Sequence, residues 1–374
     1  MRSAAVIGTG AIGTSIALAL ARHGVTVYLD DVNRTAARTA EAMGAGSLAA
    51  PDGPVDLAVL AVPPAHIGTV LARSQRAGLA RAYTDVASVK AQPHDEIDRA
   101  GADPASYIGG HPMAGTERSG PLAGRADLFE GRPWVLTPSP CTGQETLNRA
   151  LELASLCGGT PVVMDAAAHD RAVALVSHAP HLVSSLLAAR LAGAGEESIR
   201  ISGQGLRDVT RIAAGDPGLW NEILDANATA VADVLDAYAA DLGRAIGALR
   251  ALGGADAVRR RAAASTLDGL LRTGNEGRAR VAHKSGTPLT DLTAVPVLVP
   301  DQPGALARLF TAVGEIGVNI EDVRIEHSMD CPRGLVELLV QQRSAPALSR
   351  LLDAGGWAVA ENAVAEHAVM AAVG

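Results

Sequence analysis

The feature that most constrains this chain is a set of three glycines at fixed spacing, Gly8-Thr9-Gly10-Ala11-Ile12-Gly13. It directly follows an apolar run, Ala4–Ile7, and directly precedes a helical pattern. The first glycine permits a tight turn, the second lets a pyrophosphate approach the backbone, and the third lets helix and strand pack closely. A phosphate placed there meets the unpaired N–H groups and the positive end of the helix dipole. Alone, G-x-G-x-x-G is weak evidence. Here an acid also follows about 20 residues on, where such sites need one, in Tyr28-Leu29-Asp30-Asp31-Val32-Asn33-Arg34. Asp31 is the expected partner of the adenosine ribose hydroxyls, with Asp30 the alternative. A carboxylate in that place repels a 2′-phosphate and favours NAD, while Arg34 keeps NADP open.

Residues 1–165 continue the pattern that the turn begins. Short apolar runs at Ala4–Ile7, Val25–Leu29, Leu57–Val62, Ala82–Val86, Ser106–Ile108, Trp134–Leu136 and Pro161–Met164 alternate with helical stretches. That alternation predicts a Rossmann-type parallel α/β sheet. From residue 166 to 283 the strand signal disappears and Ala- and Leu-rich helical patterns predict an all-α domain. Within it, Ala174–Leu191 is apolar on nearly every face and is expected to be buried all round, in a helical core or a subunit interface. Residues 284–293 read as a linker. Residues 294–374 follow the order strand, helix, strand, strand, helix, strand, which predicts a small βαββαβ ferredoxin-like domain.

Composition narrows the partners. The 374 residues carry 32 basic and 40 acidic side chains, a formal charge of -8 that argues against nucleic acid. Cys141, Cys157 and Cys331 lie far apart with no C-x-x-C pair, so neither a disulfide framework nor a metal cluster is expected. The chain enters a strand at once, with no export signal, and no uninterrupted apolar run approaches the ~20 residues that span a bilayer. A cytoplasmic protein without a membrane partner is the expectation.

Ligands of open α/β sheets sit beyond the carboxyl ends of the strands. Three unusual segments fall there: Ala61-Val62-Pro63-Pro64, Asp85-Val86-Ala87-Ser88-Val89-Lys90, and Gly109-Gly110-His111 through Glu117. Topology thus gathers Ser88, Lys90, His111 and Glu117 near a bound nicotinamide, with Val62 and Pro63 along the cofactor. An imidazole titrating near 6.5 can take a proton from an alcohol as hydride leaves the same carbon. Lys90 is a candidate to anchor cofactor or substrate charge, with a surface role as the alternative. His178 and His181 lie three apart and share a helix face; a metal site is the rival reading, but no third and fourth ligands stand at usable spacing.

Asp85–Lys90, Gly110–Gly120 (GHPMAGTERSG), Ser177–His181 (SHAPH) and Leu206–Ala214 (LRDVTRIAA) together resemble the prephenate dehydrogenase family over residues 4–280. The tail, with Asp301-Gln302-Pro303-Gly304-Ala305-Leu306 and Gly317-Val318-Asn319-Ile320, resembles an ACT regulatory domain. The resemblance implies oxidative decarboxylation of prephenate to 4-hydroxyphenylpyruvate with reduction of NAD. His111 would be the base and Ser88 its partner or that of the substrate hydroxyl. Arg211 would hold a substrate carboxylate in a bidentate pair, with His178, His181, Glu117, Asp208 and Trp220 lining the pocket. The departures are small: alanine at 87 and 179, where the family often has glycine and leucine.

Arogenate, the amino form of prephenate, is the closest competing substrate, and a 4-amino ring analogue a more distant one. An inactive amino-acid sensor is a different class, opposed by the intact Ser88, His111 and Arg211. A β-hydroxyacid dehydrogenase lacks its usual catalytic lysine here. In the tail, Asp301, Gly304, Ala305, Leu306 and Asn319 are candidates to bind an effector amino acid such as tyrosine. A homodimer through the helical region is expected.

Overall fold

A computed structural model describes residues 1–115, 118–281, 291–327 and 333–360. Glu117, Cys331 and most of the expected linker lie outside the described residues. Two compact units form, Met1–Ala239 and Ala240–Gly374. The boundary expected at residue 166 therefore falls inside the first unit, where helices that follow the sheet pack with it.

The first unit is built on seven strands, β1 (Ser3–Ile7), β2 (Thr26–Asp30), β3 (Leu57–Leu60), β4 (Tyr83–Asp85), β5 (Tyr107–Pro112), β6 (Pro133–Thr137) and β7 (Thr160–Val163). Their order in the sheet is β2-β1-β3-β4-β5-β6-β7. The first five are parallel. Every residue of Leu57-Ala58-Val59-Leu60 is buried, as a parallel strand covered on both faces requires. One face packs Ile16 and Leu20 of the helix Ala11–Arg22 with Leu153 of Gln144–Leu156. The other face packs Ile67 and Leu71 of Ile67–Arg76 with Ile97 of Ala91–Ala100.

The expectation of an all-parallel sheet is corrected at β6, which runs antiparallel to β5. The connection between them holds one 3-10 turn, Pro121–Ala123, and no crossover helix among its described residues. A parallel neighbour needs a crossover of a dozen or more residues, usually helical. The helix Gln144–Leu156 supplies one between β6 and β7, which pair in parallel.

Residues Ala166–Ala189 form a continuous helical rod with a π turn, Ala174–His178, in its middle. Pro180 has no N–H to donate one turn back, and a π turn absorbs the missing bond; such turns recur at functional sites. This rod bears on two expectations. It is long and apolar enough to cross a membrane by length and composition, although the run is not free of polar residues. Those polar residues, His169, Asp170, His178 and Ser184, are buried and bonded within the unit, which marks an element of a site rather than an anchor. Leu175, Val176 and Leu186 are 61%, 64% and 59% exposed in the single chain, so the helical core does not cover that face and of the two expected covers the subunit interface is left.

The second unit contains the helix Ala257–Ala279 and four antiparallel strands, β8 (Leu292–Pro300), β9 (Asp322–His327), β10 (Arg333–Gln341) and β11 (Ala358–Val359), in the order β11-β8-β10-β9. Val295, Val297 and Val299 alternate inward on β8, as do Val336, Leu338 and Val340 on β10. They pack Leu309 and Val313 of Ala305–Ile316 and Leu348 and Leu352 of Ala345–Ala354. The element order is βαββαβ, as the period-2 and helical patterns predict.

Candidate active site

The glycine turn is shaped by contacts that no side chain would permit. Gly8 has φ +101°, and a Cβ there would lie 2.2 Å from the carbonyl oxygen of Ala61. A Cβ on Gly13 would lie 1.9 Å from the carbonyl oxygen of Gly8. Gly10 differs: a Cβ there meets nothing within 4 Å. Its backbone opens on free space at the start of the helix Ala11–Arg22, which suits a pyrophosphate and gives the turn the fit a dinucleotide needs. Thr9 is buried, and its N–H and hydroxyl both donate to Asp31, at 2.6 and 2.8 Å. The N–H of Asn33 donates to the other Asp31 oxygen at 2.7 Å. Asp31 therefore folds onto the turn, while Asp30 is exposed and pairs with Arg73 at 3.4 Å. Ala11 and Ile12 open the helix half-buried, Val62 is half-buried after β3, and Pro63 is exposed.

Beyond β4 and β5 stands a buried charge cluster. The ammonium of Lys90 is ion-paired with Asp85 and donates to the Gly110 carbonyl at 2.5 Å, both side chains wholly buried. The other Asp85 oxygen accepts from the Tyr107 hydroxyl and, at 3.4 Å, from the Gly110 N–H. Burial pushes the Lys90 amine below its ordinary range, opposed by the Asp85 charge. Lys90 is thus neither the cofactor anchor nor the surface lysine expected: its donors are spent inside the protein, where an unpaired charge would be costly. The same cluster explains the paired glycines before His111. A Cβ on Gly109 would sit 2.4 Å from Thr137 Oγ1 and 3.1 Å from the Lys90 chain, and one on Gly110 2.5 Å from the Asp85 carbonyl.

His111 lies at the carboxyl end of β5, half-buried. Its Nδ1 is 2.8 Å from Nε2 of His169, the rings edge to face with centroids 5.1 Å apart. Nδ1 of His169 is 2.7 Å from Asp170, which also accepts the N–H groups of Lys90 and Ala91, each at 2.8 Å. Burial holds the His111 imidazole well below its usual value, aided by the charge of Lys90 and by His169 and His178. For Asp170, burial alone would raise the carboxyl, but hydrogen bonds from His169, Ala91 and Lys90 outweigh it and lower it. His111 is therefore unprotonated, with a lone pair on one ring nitrogen, and Asp170 ionised, at neutral pH. Ser88 is half-buried in the loop after β4 and makes no hydrogen bond to His111.

The helical rod contributes the rest. Asn227 donates to the Asp170 carbonyl at 2.8 Å and lies 3.2 Å from Nδ1 of His178. Burial lowers the His178 imidazole to about 4. His181 stacks on Trp220 with centroids 3.5 Å apart, and Trp220 stands edge-on to His178 at 6.1 Å. Gly215 packs so closely on Trp220 and His181 that a Cβ would lie 2.4 and 2.8 Å from them. Arg211, exposed, opens the 3-10 turn Arg211–Ala214, which packs against the helix of His181. Asp208 is exposed and accepts from Gln204 at 2.8 Å. No group of three or more metal-ligating side chains occurs among the described residues. His169, Asp170 and Asn227 escape the sequence reading; the available signal was an adjacent His-Asp pair in an alanine-rich helical turn.

In the second unit, Asp301 and Gly304 are exposed, Gly304 with φ +79° at the start of the helix Ala305–Ile316. Ala305 is buried and Leu306 packs against the core. Asn319 donates to Glu321 at 2.9 Å.

Comparison with known proteins bears on this arrangement. Residues 16–163 match the family profile described as prephenate dehydrogenase, nucleotide-binding domain, and residues 165–259 match prephenate dehydrogenase, dimerization domain. The chain is 43% identical over 359 residues to the probable prephenate dehydrogenase NovF of Streptomyces niveus, covering 96% of this chain and 99% of that protein. A cyclohexadienyl dehydrogenase of Zymomonas mobilis is 34% identical over 251 residues, 64% of this chain and 85% of that one. Among solved structures, prephenate dehydrogenase from A. aeolicus, in complex with hydroxyphenyl propionate and NAD+, superposes with a TM-score of 0.63 at 26% identity. It covers 74% of this chain and 98% of its own. Synechocystis arogenate dehydrogenase gives 0.59 at 26% identity, over 75% of this chain and 100% of its own.

Proposed function

The chain belongs to the prephenate dehydrogenase family, and from that premise we propose that it oxidatively decarboxylates prephenate to 4-hydroxyphenylpyruvate in tyrosine biosynthesis. The observation that carries the reading is the neutral, half-buried imidazole of His111 at the carboxyl end of β5. NAD supplies the hydride acceptor, and the Gly8–Gly13 turn with Asp31 would hold its pyrophosphate and adenosine ribose. His111 takes the proton of the ring hydroxyl as the hydride leaves the carbon that bears it, leaving a ketone. The ring carboxylate then departs as carbon dioxide. Its bonding pair flows into the ring, which becomes aromatic, and the oxygen, left as a phenolate, takes back the proton held by His111 and ends as the phenol.

Prephenate is a dianion and needs fixed cations. Arg211 is the proposed carboxylate partner, held on the turn that packs against the His181 helix. His178, His181 and Trp220 form the proposed wall of the pocket, with Asp208 at its margin; Glu117 keeps the substrate-binding role that the family resemblance implies. Ser88 is proposed to bond the substrate hydroxyl, since His169 takes Nδ1 of His111. Arogenate is the second reading, supported by the likeness to an arogenate dehydrogenase. One matrix of assays tests both: prephenate and arogenate, each with NAD and NADP, read as reduced nicotinamide. Turnover is expected with prephenate and NAD; turnover with neither substrate would overturn the assignment.

Three further proposals follow the same premise. The exposed Leu175, Val176 and Leu186, together with the matched dimerization domain, support a homodimer through the helical region. A cytoplasmic location suits a biosynthetic dehydrogenase. The βαββαβ unit is proposed as an ACT domain that binds tyrosine near Asp301–Leu306 and Asn319. Equal inhibition by tyrosine with and without residues 294–374 would remove that role.

A further inference from the structure

The proton on a histidine ring can sit on either nitrogen, and only the bare nitrogen can act as a base. If His111 is the base, as the proposed function holds, something must decide which nitrogen that is. We propose that Asp170 and His169 are positioning residues that fix the His111 ring with its proton on Nδ1, leaving Nε2 to accept the substrate's hydroxyl proton.

The relay starts at the carboxylate. Asp170 is buried, and its oxygens accept three hydrogen bonds, from the N–H groups of Lys90 and Ala91 and from His169 Nδ1. An ionised carboxylate only accepts, so Nδ1 of His169 carries its proton. Nε2 of a neutral His169 then bears a lone pair, and it lies 2.8 Å from Nδ1 of His111. Two lone pairs cannot face each other at that distance, so Nδ1 of His111 must donate. Its Nε2 is left bare. The two backbone bonds to Asp170 join the loop after β4 to the helical rod, so the relay and the nucleotide-binding sheet move as one piece.

The same wiring prepares for the proton's arrival. Protonated His111 donates from Nδ1 to His169 as a charge-assisted bond, roughly twice the strength of a neutral one, and the fixed charge of Asp170 lies one ring further on. It also defines how the base is switched off. An imidazolium at 169 donates in both directions, and His111 must then carry its proton on Nε2, where it can accept nothing. The other ionisable groups around the pair are already committed: Lys90 to Asp85, and His178, through Nδ1, to Asn227. In a serine-protease triad, exchange of the orienting carboxylate for an amide lowers kcat about 10⁴-fold through the wrong tautomer; the arrangement here inserts one more ring between carboxylate and base.

Two measurements on the full-length enzyme decide it. Ring nitrogen-15 NMR of the wild-type protein with NAD bound, assigned with His111→Asn and His169→Asn, reads the tautomers directly. The expected result is protons on Nδ1 of both rings near pH 7.5; a proton on Nε2 of His111 overturns the relay. Asp170→Asn should lower kcat roughly 10²- to 10⁴-fold, with the KM for prephenate and the Kd for NAD changed less than about threefold, and Asp170→Glu should recover part of the loss. A kcat within about threefold of wild type overturns it. Should Asp170→Asn fail to fold, the wild-type spectrum alone decides. His111→Asn separates the two levels. If it keeps turnover, the base assignment itself fails; if it loses turnover while Asp170→Asn does not, only the relay fails.

Discussion

The glycine turn and the histidine cluster both stand at the carboxyl ends of strands in one sheet, yet they are built in opposite ways. The turn is a matter of backbone: Gly8 and Gly13 are shaped by the close approach of the Ala61 and Gly8 carbonyls, and the Thr9 N–H reaches Asp31 22 residues on. The cluster is made of side chains drawn from across the chain. The His111 ring meets the His169 ring at a separation of 58 residues, the Asp170 carboxylate takes the Lys90 N–H at 80, and the Asn227 amide donates to the Asp170 carbonyl at 57. A site made of backbone tolerates change in most of its side chains. A site made of buried polar side chains fails when any partner is removed, because the group left behind has lost both water and its bond.

That contrast can be broken or sharpened by experiment. The largest stability effect is expected at the buried pair. Lys90→Met strands the Asp85 carboxylate and should cost about 3–5 kcal/mol, read as the midpoint of urea unfolding. Adding Asp85→Asn should return part of the loss. Indifference to Lys90→Met would mean the cluster does not hold β4 and β5 together.

Acid should act next. His178 titrates near 4 in the folded protein, against an ordinary 6.5. As pH falls through 6.5, the unfolded chain binds a proton that the folded chain refuses until about 4. Stability therefore declines between those two values, by ~3 kcal/mol for this ring, and His111 and His181 push in the same direction. Melting temperatures across that range check it, and His178→Gln should flatten the slope; an unchanged slope would contradict the burial account.

The smallest effect belongs to the turn. Gly10 has φ -70°, which any residue adopts, and open space where a side chain would go. Gly10→Ala should leave the melting temperature unmoved and weaken NAD roughly tenfold, about 1.4 kcal/mol. A lower melting temperature with unchanged NAD affinity would mean that the open side of the turn is not where the nucleotide approaches.

The same contrast explains what the sequence could and could not reveal. Periodicity and turn chemistry are local signals, so the strands up to β5, the glycine turn with Asp31, and the βαββαβ order of the second unit were all readable. The antiparallel β6 was not, because strand direction depends on whether a crossover helix intervenes, and the segment before β6 carries too weak a pattern to tell. Within the histidine cluster, the place of His111 at a strand end was legible from the topology. His169 and Asp170 were not legible, since nothing local shows that a helix will carry them to within hydrogen-bond reach of β5 and the Lys90 loop. Lys90 was misplaced for a related reason: a lysine in a loop beyond a strand end looks free to meet a ligand or solvent until Asp85 and Gly110 are seen to enclose it.

Nucleotide binding and proton transfer are assigned to separate residues, and His111→Asn tests that separation directly. Asparagine keeps a polar side chain of similar reach but cannot take a proton. Turnover of prephenate is predicted to fall by roughly 10²–10⁴, while NAD binds the variant as it binds the wild type. Turnover close to wild type, or a loss of NAD affinity that accounts for the loss of rate, would contradict it.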